Sequence, residues 1–299
     1  MTRACPLCSV ESPADDRFCE ECGTRLESPQ GAPPDCAKCG AGAEQVDADG
    51  YCAACGFRRI ASKRDHFEVV VSPSFAGASD RGMRHHRNED FLAMDTVDTD
   101  AHVIVVCDGV SSTEDADRAS EAAGEAAFRS LVQSIESGQE TRRTALTAAL
   151  AKAGIAVAAL ASGARVPATT IIAAVARGGA VDIAWLGDSR AYWIPTEGES
   201  IRITEDHSES EESHAITKWL GADAPEEDAP SLSRFEIPGP GQLLLCTDGL
   251  WNYAPDPAEL ARGEGDRIDA VRALIAFANE SGGHDNITVA LLSLAPDPS

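Results

Sequence analysis

Eight of the ten cysteines lie before residue 56, and they form four Cys-x-x-Cys pairs. Two such pairs joined by a short spacer can place four thiolates around one tetrahedral ion, and this arrangement occurs twice in succession. Disulfides are the competing interpretation, which a cytoplasmic chain disfavours. The pattern therefore predicts two structural Zn²⁺ ions, with the ligands Cys5, Cys8, Cys19, Cys22, Cys36, Cys39, Cys52 and Cys55.

The cysteine-rich segment also indicates the domain organisation. A segment this small cannot bury enough apolar surface to fold unaided, so bound metal should supply its folding energy. A short basic hinge, Arg58 to Arg64, separates it from the apolar run Phe67 to Val71. We predict a double zinc ribbon over residues 1–57, a linker over 58–66 and a second domain over 67–295. Sites closed by four cysteines have no open coordination position, which favours a structural or recognition role for the ribbons.

The charge and apolar content narrow the possible partners. The formal net charge of −24 repels a phosphate backbone, so we expect no nucleic-acid partner. No segment approaches the roughly 20 uninterrupted apolar residues of a membrane span, and the N-terminus lacks the apolar segment of a signal peptide. The sequence favours a cytoplasmic protein without membrane attachment.

Beyond the hinge, short runs rich in valine and isoleucine alternate with two long helical patterns, Ala116 to Ile135 and Thr141 to Ala161, which indicates mixed α and β structure. Aspartates recur where strand-like runs begin or end. Taken singly, an Asp-Gly pair is more often a turn than a ligand. The aspartates at these strand ends are Asp108, Asp188, Asp248 and Asp285.

Several carboxylates gathered at one rim of a sheet would repel each other and need cations to be tolerated. Ligation by oxygen alone favours Mg²⁺ or Mn²⁺ over zinc. The pattern therefore predicts metal-assisted hydrolysis of a phosphate ester, while other magnesium-dependent phosphoryl chemistry stays open.

Seven short motifs connect these aspartates to a known family. They are S-D-R-G-M-R-H-H-R-N-E-D at 79–90, V-V-C-D-G-V at 105–110, A-T-T at 168–170, G-D-S-R at 187–190, D-H-S at 206–208, C-T-D-G-L at 246–250 and H-D-N-I-T at 284–288. In this order they resemble the bacterial type 2C metal-dependent serine/threonine protein phosphatases over residues 70–293. The resemblance implies an α+β fold, a four-layer α/β/β/α sandwich of two antiparallel sheets flanked by helices, with metals in a cleft at one end.

The resemblance also implies roles for the acidic residues. Asp108 would bridge two Mn²⁺ or Mg²⁺ ions, the Gly109 carbonyl would serve the first, and Asp248 and Asp285 would hold the second. The implied reaction is hydrolysis of phosphoserine or phosphothreonine in proteins by a hydroxide that bridges the two ions.

Three further acidic residues match family positions around those ions. Glu89 and Asp90 correspond to the pair that anchors metal-bound waters, and Asp188 corresponds to the position that, with Asp248, binds a third, weaker ion in bacterial relatives.

The chain departs from the family pattern at the phosphate-binding position. His85 stands where the family usually has arginine, with Arg84 and Arg87 beside it. A protonated His85 could pair with phosphate or protonate the leaving alkoxide. Alternatively, Arg84 or Arg87 binds phosphate and His85 is a bystander.

Two further departures concern the loops. Val110-Ser111-Ser112 replaces a glycine-rich continuation, which leaves the leaving-group acid unassigned, and there is little room for a flap between His207 and the run Ala215 to Gly221.

Because a flap would be short, the zinc ribbons are candidates for docking a phosphorylated protein from a serine/threonine kinase pathway. The alternative function is a catalytically impaired scaffold that binds phosphoproteins.

Other residues have simpler interpretations. Cys107 and Cys246 lie in apolar runs and should be inert core thiols. His207 and His284 should orient loops rather than bind metal. The tryptophans should be packing residues.

Overall fold

The computed structural model describes residues 2–4, 11–13, 39, 41–42, 45, 52–55, 63–138, 140–210, 215–224, 229–261 and 265–295. The chain separates into two compact units, Met1–Ser62 and Lys63–Ser299. In the first unit, strand β1 (Thr2–Ala4) pairs antiparallel with β2 (Glu11–Pro13). Five predicted zinc ligands lie outside the described residues: Cys5, Cys8, Cys19, Cys22 and Cys36.

The second unit begins with a 3₁₀ turn at Lys63–Asp65 and then alternates strands and helices. In chain order its elements are β3 (His66–Ser72), β4 (Phe75–Asp80), β5 (Phe91–Val97), β6 (Ala101–Cys107), α1 (Ala116–Ser137), α2 (Arg142–Ala158), β7 (Ala168–Thr169), β8 (Ile171–Arg177), β9 (Ala180–Leu186), β10 (Arg190–Pro195), β11 (Ile201–Arg202), β12 (Leu220–Gly221), β13 (Ser231–Glu236), β14 (Gly241–Cys246), α3 (Asp248–Trp251), α4 (Arg267–Glu280) and β15 (Ile287–Leu294).

Two antiparallel sheets form the centre of this unit, as predicted. The six-stranded sheet has the order β11-β10-β14-β15-β4-β3, and the five-stranded sheet has the order β13-β9-β8-β6-β5. Strands β7 and β12 form a separate small ladder.

The side-chain alternation of β6 shows how the layers stack. Successive side chains of a strand point to opposite faces. Val103 and Val105 belong to the core beneath α1 and α2, whereas Ile104 and Val106 belong to the core between the two sheets. Helix α4 covers the far face of the six-stranded sheet. The order of layers is therefore helix, sheet, sheet, helix, and central strands are apolar on both faces because both faces are buried.

The ends of the two long helices follow local capping. Gly138 has a φ of 60° and donates its N–H to Ser134 and Ile135, which ends α1. The Thr141 hydroxyl accepts from the Thr144 N–H and starts α2. Helix α2 ends at Ala158, before the predicted Ala161, because the following residues close into a tighter turn.

Cys107 and Cys246 are fully buried. Burial raises the pKa of both thiols, so they stay protonated in the core as expected. Among the described residues, no helix has the length and apolar character needed to cross a membrane.

Candidate metal centre

Both sheets contribute aspartates to one site. Asp108 directly follows β6 of the five-stranded sheet, and Asp188 lies in the connection between β9 of that sheet and β10 of the six-stranded sheet. Asp248, the first residue of α3, follows β14 by two residues and Asp285 precedes β15; both strands belong to the six-stranded sheet. The structure thus brings together the strand-end aspartates that the sequence singled out.

Burial and mutual repulsion raise the pKa values of several carboxyl groups at this site. Burial, followed by the charges of Asp90, Asp248, Asp285 and Asp188, raises the pKa of Asp108 well above its usual value. Burial and the same kind of repulsion raise the pKa of Asp248. Burial raises the pKa of Asp90 to about 7, against the opposing hydrogen bond from the Thr288 hydroxyl. Cations would remove the repulsion that all these carboxylates share.

Two carboxylate oxygens have no hydrogen-bond donor among the described residues, which suits a metal site. Asp90 Oδ1 and Asp248 Oδ1 are buried and accept no hydrogen bond from any residue that the structure describes. A buried carboxylate oxygen without a donor is costly unless it binds a cation. Oxygen ligands of this kind suit Mg²⁺ or Mn²⁺.

The turn that carries Asp108 is held by the A-T-T motif. The Asp108 carbonyl accepts from the Thr169 hydroxyl at 2.8 Å and from the Thr170 N–H at 2.8 Å. A Cβ on Gly109 would lie 2.7 Å from the carbonyl oxygens of Glu89 and Ala116. The motif therefore fixes Asp108, a role that sequence reasoning did not assign to the two threonines, and the close approach at Gly109 requires glycine.

The second acidic pair is anchored to the six-stranded sheet. Asp90 Oδ2 accepts from the hydroxyls of Thr247, at 3.0 Å, and Thr288, at 2.7 Å. The Glu89 N–H donates to Asn286 Oδ1 at 2.7 Å. These contacts join the 88–90 segment to the ends of β14 and β15, where Asp248 and Asp285 stand.

The G-D-S-R and D-H-S motifs meet behind Asp188. Arg190 makes a buried bidentate ion pair with Asp206, with Nη2 to Oδ2 at 2.6 Å. Its guanidinium lies 3.4 Å from the centre of the Trp251 ring, and Trp251 Nε1 donates to the Asp188 carbonyl at 3.0 Å. Arg190, Asp206 and Trp251 therefore support the backbone at Asp188, a set that sequence reasoning missed because its contacts join distant motifs.

His207 orients a loop, as expected. Its Nδ1 accepts the Gly187 N–H at 3.1 Å, and its Nε2 lies 2.9 Å from Ser231 Oγ. The ring stacks on Trp185. His207 thus holds the turn just before Asp188.

The three basic candidates for phosphate binding have different surroundings. His85 Nε2 lies 3.1 Å from Asp285 Oδ1. Arg87 Nη1 lies 3.5 Å from Asp117 Oδ1, and Arg84 is exposed. The structure therefore brings His85 to the edge of the acidic cluster, against a predicted metal ligand.

The two loops that depart from the family are held by hydrogen bonds near the site. Ser111 Oγ donates to Glu89 Oε2 at 2.6 Å. The Thr217 N–H donates to the His207 carbonyl at 2.7 Å, and β12 pairs with β7 directly after the flap region. Ser111 thus takes part in orienting one of the acidic residues.

The raised pKa values predict how the metal-free protein responds to pH. In the unfolded chain, an aspartate has a pKa of about 3.9. The folded form therefore holds protons that the unfolded chain has already released, so stability should fall as pH rises from about 4 to 7. Thermal unfolding of protein dialysed free of Mn²⁺ and Mg²⁺ measures this, and Mn²⁺ should restore the loss at pH 7. Asp108→Asn should flatten the slope, whereas an equal slope in that variant would contradict this origin.

The first unit carries a separate cluster of thiols. The sulfur atoms of Cys39, Cys52 and Cys55 all lie within 4.8 Å of one another, with Cys39 and Cys52 3.7 Å apart. Three thiolates at this spacing can hold one Zn²⁺ together with a fourth ligand.

The chain is similar in sequence to bacterial protein phosphatases. It is 32% identical over 130 residues to the protein phosphatase PhpP of Streptococcus pneumoniae, which covers 37% of this chain and 52% of PhpP. It is 26% identical over 266 residues to a putative protein phosphatase of Mycoplasma genitalium, covering 77% of this chain and 96% of the relative. The chain thus spans about half the length of PhpP.

Solved structures share the fold. A serine/threonine phosphatase of S. agalactiae superposes with a TM-score of 0.60 at 25% identity, covering 76% of this chain and 98% of that one. The family profile described as protein phosphatase 2C matches residues 79–292, which is more than half of the chain. With the acidic site and the two-sheet architecture in place, this match shows that the chain belongs to the protein phosphatase 2C family.

Proposed function

We propose that this chain hydrolyses phosphoserine and phosphothreonine in proteins, with Mn²⁺ or Mg²⁺ as its cofactor. The observation that carries the proposal is the convergence of aspartates from both sheets on one site, with the buried Oδ1 atoms of Asp90 and Asp248 left without donors among the described residues. The names of the relatives agree with this activity. The substrate is a phosphorylated protein of a serine/threonine kinase pathway.

The ligand assignment is the one that the family resemblance implies. Asp108 and the Gly109 carbonyl would hold one ion, and Asp108, Asp248 and Asp285 would hold a second. Asp188, with Asp248, would hold a third and weaker ion. Divalent cations at such a site supply water of lowered pKa and offset the charge on the phosphate oxygens.

The surrounding side chains prepare these ligands. Thr169 and Thr170 fix the backbone at Asp108, so its carboxylate is directed before any cation arrives. Asp90 keeps one oxygen bound to Thr247 and Thr288, which leaves the other to accept from a water in the site. Ser111 orients Glu89 in the same way.

The direct test is release of phosphate from a phosphothreonine peptide by the full-length protein, with and without millimolar Mn²⁺. We expect turnover that depends on the metal. A folded, zinc-loaded protein that bound the phosphopeptide without turning it over under any divalent metal would instead support the phosphoprotein-binding scaffold.

Phosphate binding is assigned to Arg84. His85 Nε2 is directed to Asp285 and Arg87 faces Asp117, whereas the Arg84 side chain is exposed. A charge-assisted hydrogen bond contributes about 1.5–3 kcal/mol, so Arg84→Ala should raise KM for a phosphopeptide about tenfold or more. The matched control is Arg118→Ala, an exposed arginine on α1, which should leave KM unchanged. A raised KM in His85→Ala with normal KM in Arg84→Ala would assign phosphate to the histidine instead.

The N-terminal cysteines are assigned to two structural Zn²⁺ ions in a docking or regulatory module. The proximity of the Cys39, Cys52 and Cys55 sulfurs supports one of the two sites. Elemental analysis of the purified wild type should give two zinc ions per chain, and Cys52→Ser with Cys55→Ser should give one. Hydrolysis of a small aryl phosphate should stay within about twofold, which is under 0.5 kcal/mol. Equal zinc content in the variant and wild type would refute the assignment.

A further inference from the structure

Arg64 lies at the start of the second unit and reaches into the support of the metal centre. It is the second residue after Ser62, where the first unit ends, and it sits in the 3₁₀ turn Lys63–Asp65. Its side chain is 23% exposed. The covalent connection between the two units therefore runs directly into this residue.

The Arg64 guanidinium makes contacts on both sides of Glu89. Nε donates to the Asn88 carbonyl at 3.0 Å, and Nη2 donates to the Asp90 carbonyl at 2.9 Å. In return, Asn88 Nδ2 donates to the Arg64 carbonyl at 2.9 Å. The backbone that carries the acidic pair is thereby fixed at the residue before Glu89 and at the residue after it.

The same guanidinium also holds the first turn of α1. Nη2 donates to the Asp117 carbonyl and to Ser120 Oγ, both at 2.9 Å. This turn contains Ala116, whose carbonyl lies close to Gly109 beside Asp108. One planar group therefore sets the distance between the segment of the acidic pair and the helix that packs behind Asp108.

We propose that Arg64 is a positioning residue for the metal centre. The inference rests on the proposed function. Arg64 acts through Asn88, Asp90 and α1 rather than by contact with a cation or substrate. A lysine cannot replace it, because one ammonium group cannot reproduce the fork that spans the two carbonyls.

The test is a calorimetric Mn²⁺ titration of full-length, zinc-loaded protein at a temperature well below its Tm. Arg64→Gln should raise the Kd for Mn²⁺ about tenfold. Arg64→Lys should raise the Kd to an intermediate degree, because lysine should not restore wild-type affinity. The concentration of Mn²⁺ that half-activates hydrolysis should rise in parallel, with kcat at saturating Mn²⁺ within about twofold.

Two controls separate positioning from charge and from general stability. Glu121→Gln removes only the exposed ion pair at Nη1, 3.2 Å long, and should leave the Kd unchanged. Arg272→Gln removes an arginine that pairs with Glu68 on the surface and should also leave it unchanged.

The outcomes distinguish this inference from the proposed function. A wild type that binds no Mn²⁺ would refute the proposed function itself. A wild type that binds Mn²⁺, with Arg64→Gln or Arg64→Lys showing a lower Tm and an unchanged Kd, would overturn the positioning role and leave Arg64 as a structural residue. If Arg64→Gln does not fold, the Kd of Arg64→Lys decides in the same way.

Discussion

Asp108→Asn should reduce hydrolysis of a phosphothreonine peptide by on the order of 10²–10⁴, while the metal-free protein becomes more stable. The loss follows because Asp108 is assigned to both principal ions and an amide oxygen carries no charge to hold them. The gain in stability follows because burial and the neighbouring aspartates raise the pKa of Asp108, which marks its ionised form as unfavourable in the fold. Steady-state kinetics and thermal unfolding without divalent metal measure the two effects.

The opposite directions of these two effects make the prediction specific. Asp95→Asn, on the exposed side of β5, is the matched control and should change neither activity nor Tm appreciably. Loss of activity together with a lower Tm would mean that the variant had simply damaged the fold. Unchanged activity would remove Asp108 from the site.

Arg190→Ala should destabilise the second unit by about 3–5 kcal/mol, because it leaves Asp206 buried without its bidentate partner. The substitution also removes the guanidinium stacked on Trp251, whose indole N–H holds the Asp188 carbonyl. Urea unfolding of full-length protein gives the free energy of unfolding from the midpoint and slope.

The matched control is Arg129→Ala, which breaks an exposed pair with Glu125 on α1 and should cost at most about 1 kcal/mol. Equal losses in the two variants would show that burial of the Arg190–Asp206 pair does not matter.

The sequence located the aspartates that the fold brings together, because short motifs mark them. Asp108, Asp248 and Asp285 each stand beside a strand that a run of apolar residues marks, and the structure confirms those strands. The two antiparallel sheets and flanking helices followed from the resemblance and are also confirmed. In the first unit, the sequence left open how the Cys-x-x-Cys pairs combine; Cys39 lies close to Cys52 and Cys55, and the other five predicted zinc ligands lie outside the described residues.

What the sequence could not supply was the set of contacts between motifs. Thr169 reaches the Asp108 carbonyl across 61 positions of the chain, and Arg64 reaches the Asp117 carbonyl across 53. Such hydrogen bonds from a side chain to the backbone depend on the path of the folded chain. They leave no periodic pattern in the sequence. The contact between His85 and Asp285 is of the same kind, and only the fold brings the two residues together.

The origin of the aspartates in both sheets has a consequence for how the protein opens. Asp108 follows a strand of one sheet, whereas Asp248 and Asp285 stand beside strands of the other, so parting the two sheets would separate the proposed ligands. If these residues bind Mn²⁺, sheet separation would require release of the cation. Amide hydrogens in the middle of β6 and β14, remote from any phosphate, should exchange with deuterium more slowly as Mn²⁺ is added. Binding of Mn²⁺ at the site would then slow the exchange of the most protected core amides and lengthen the lifetime of the folded chain.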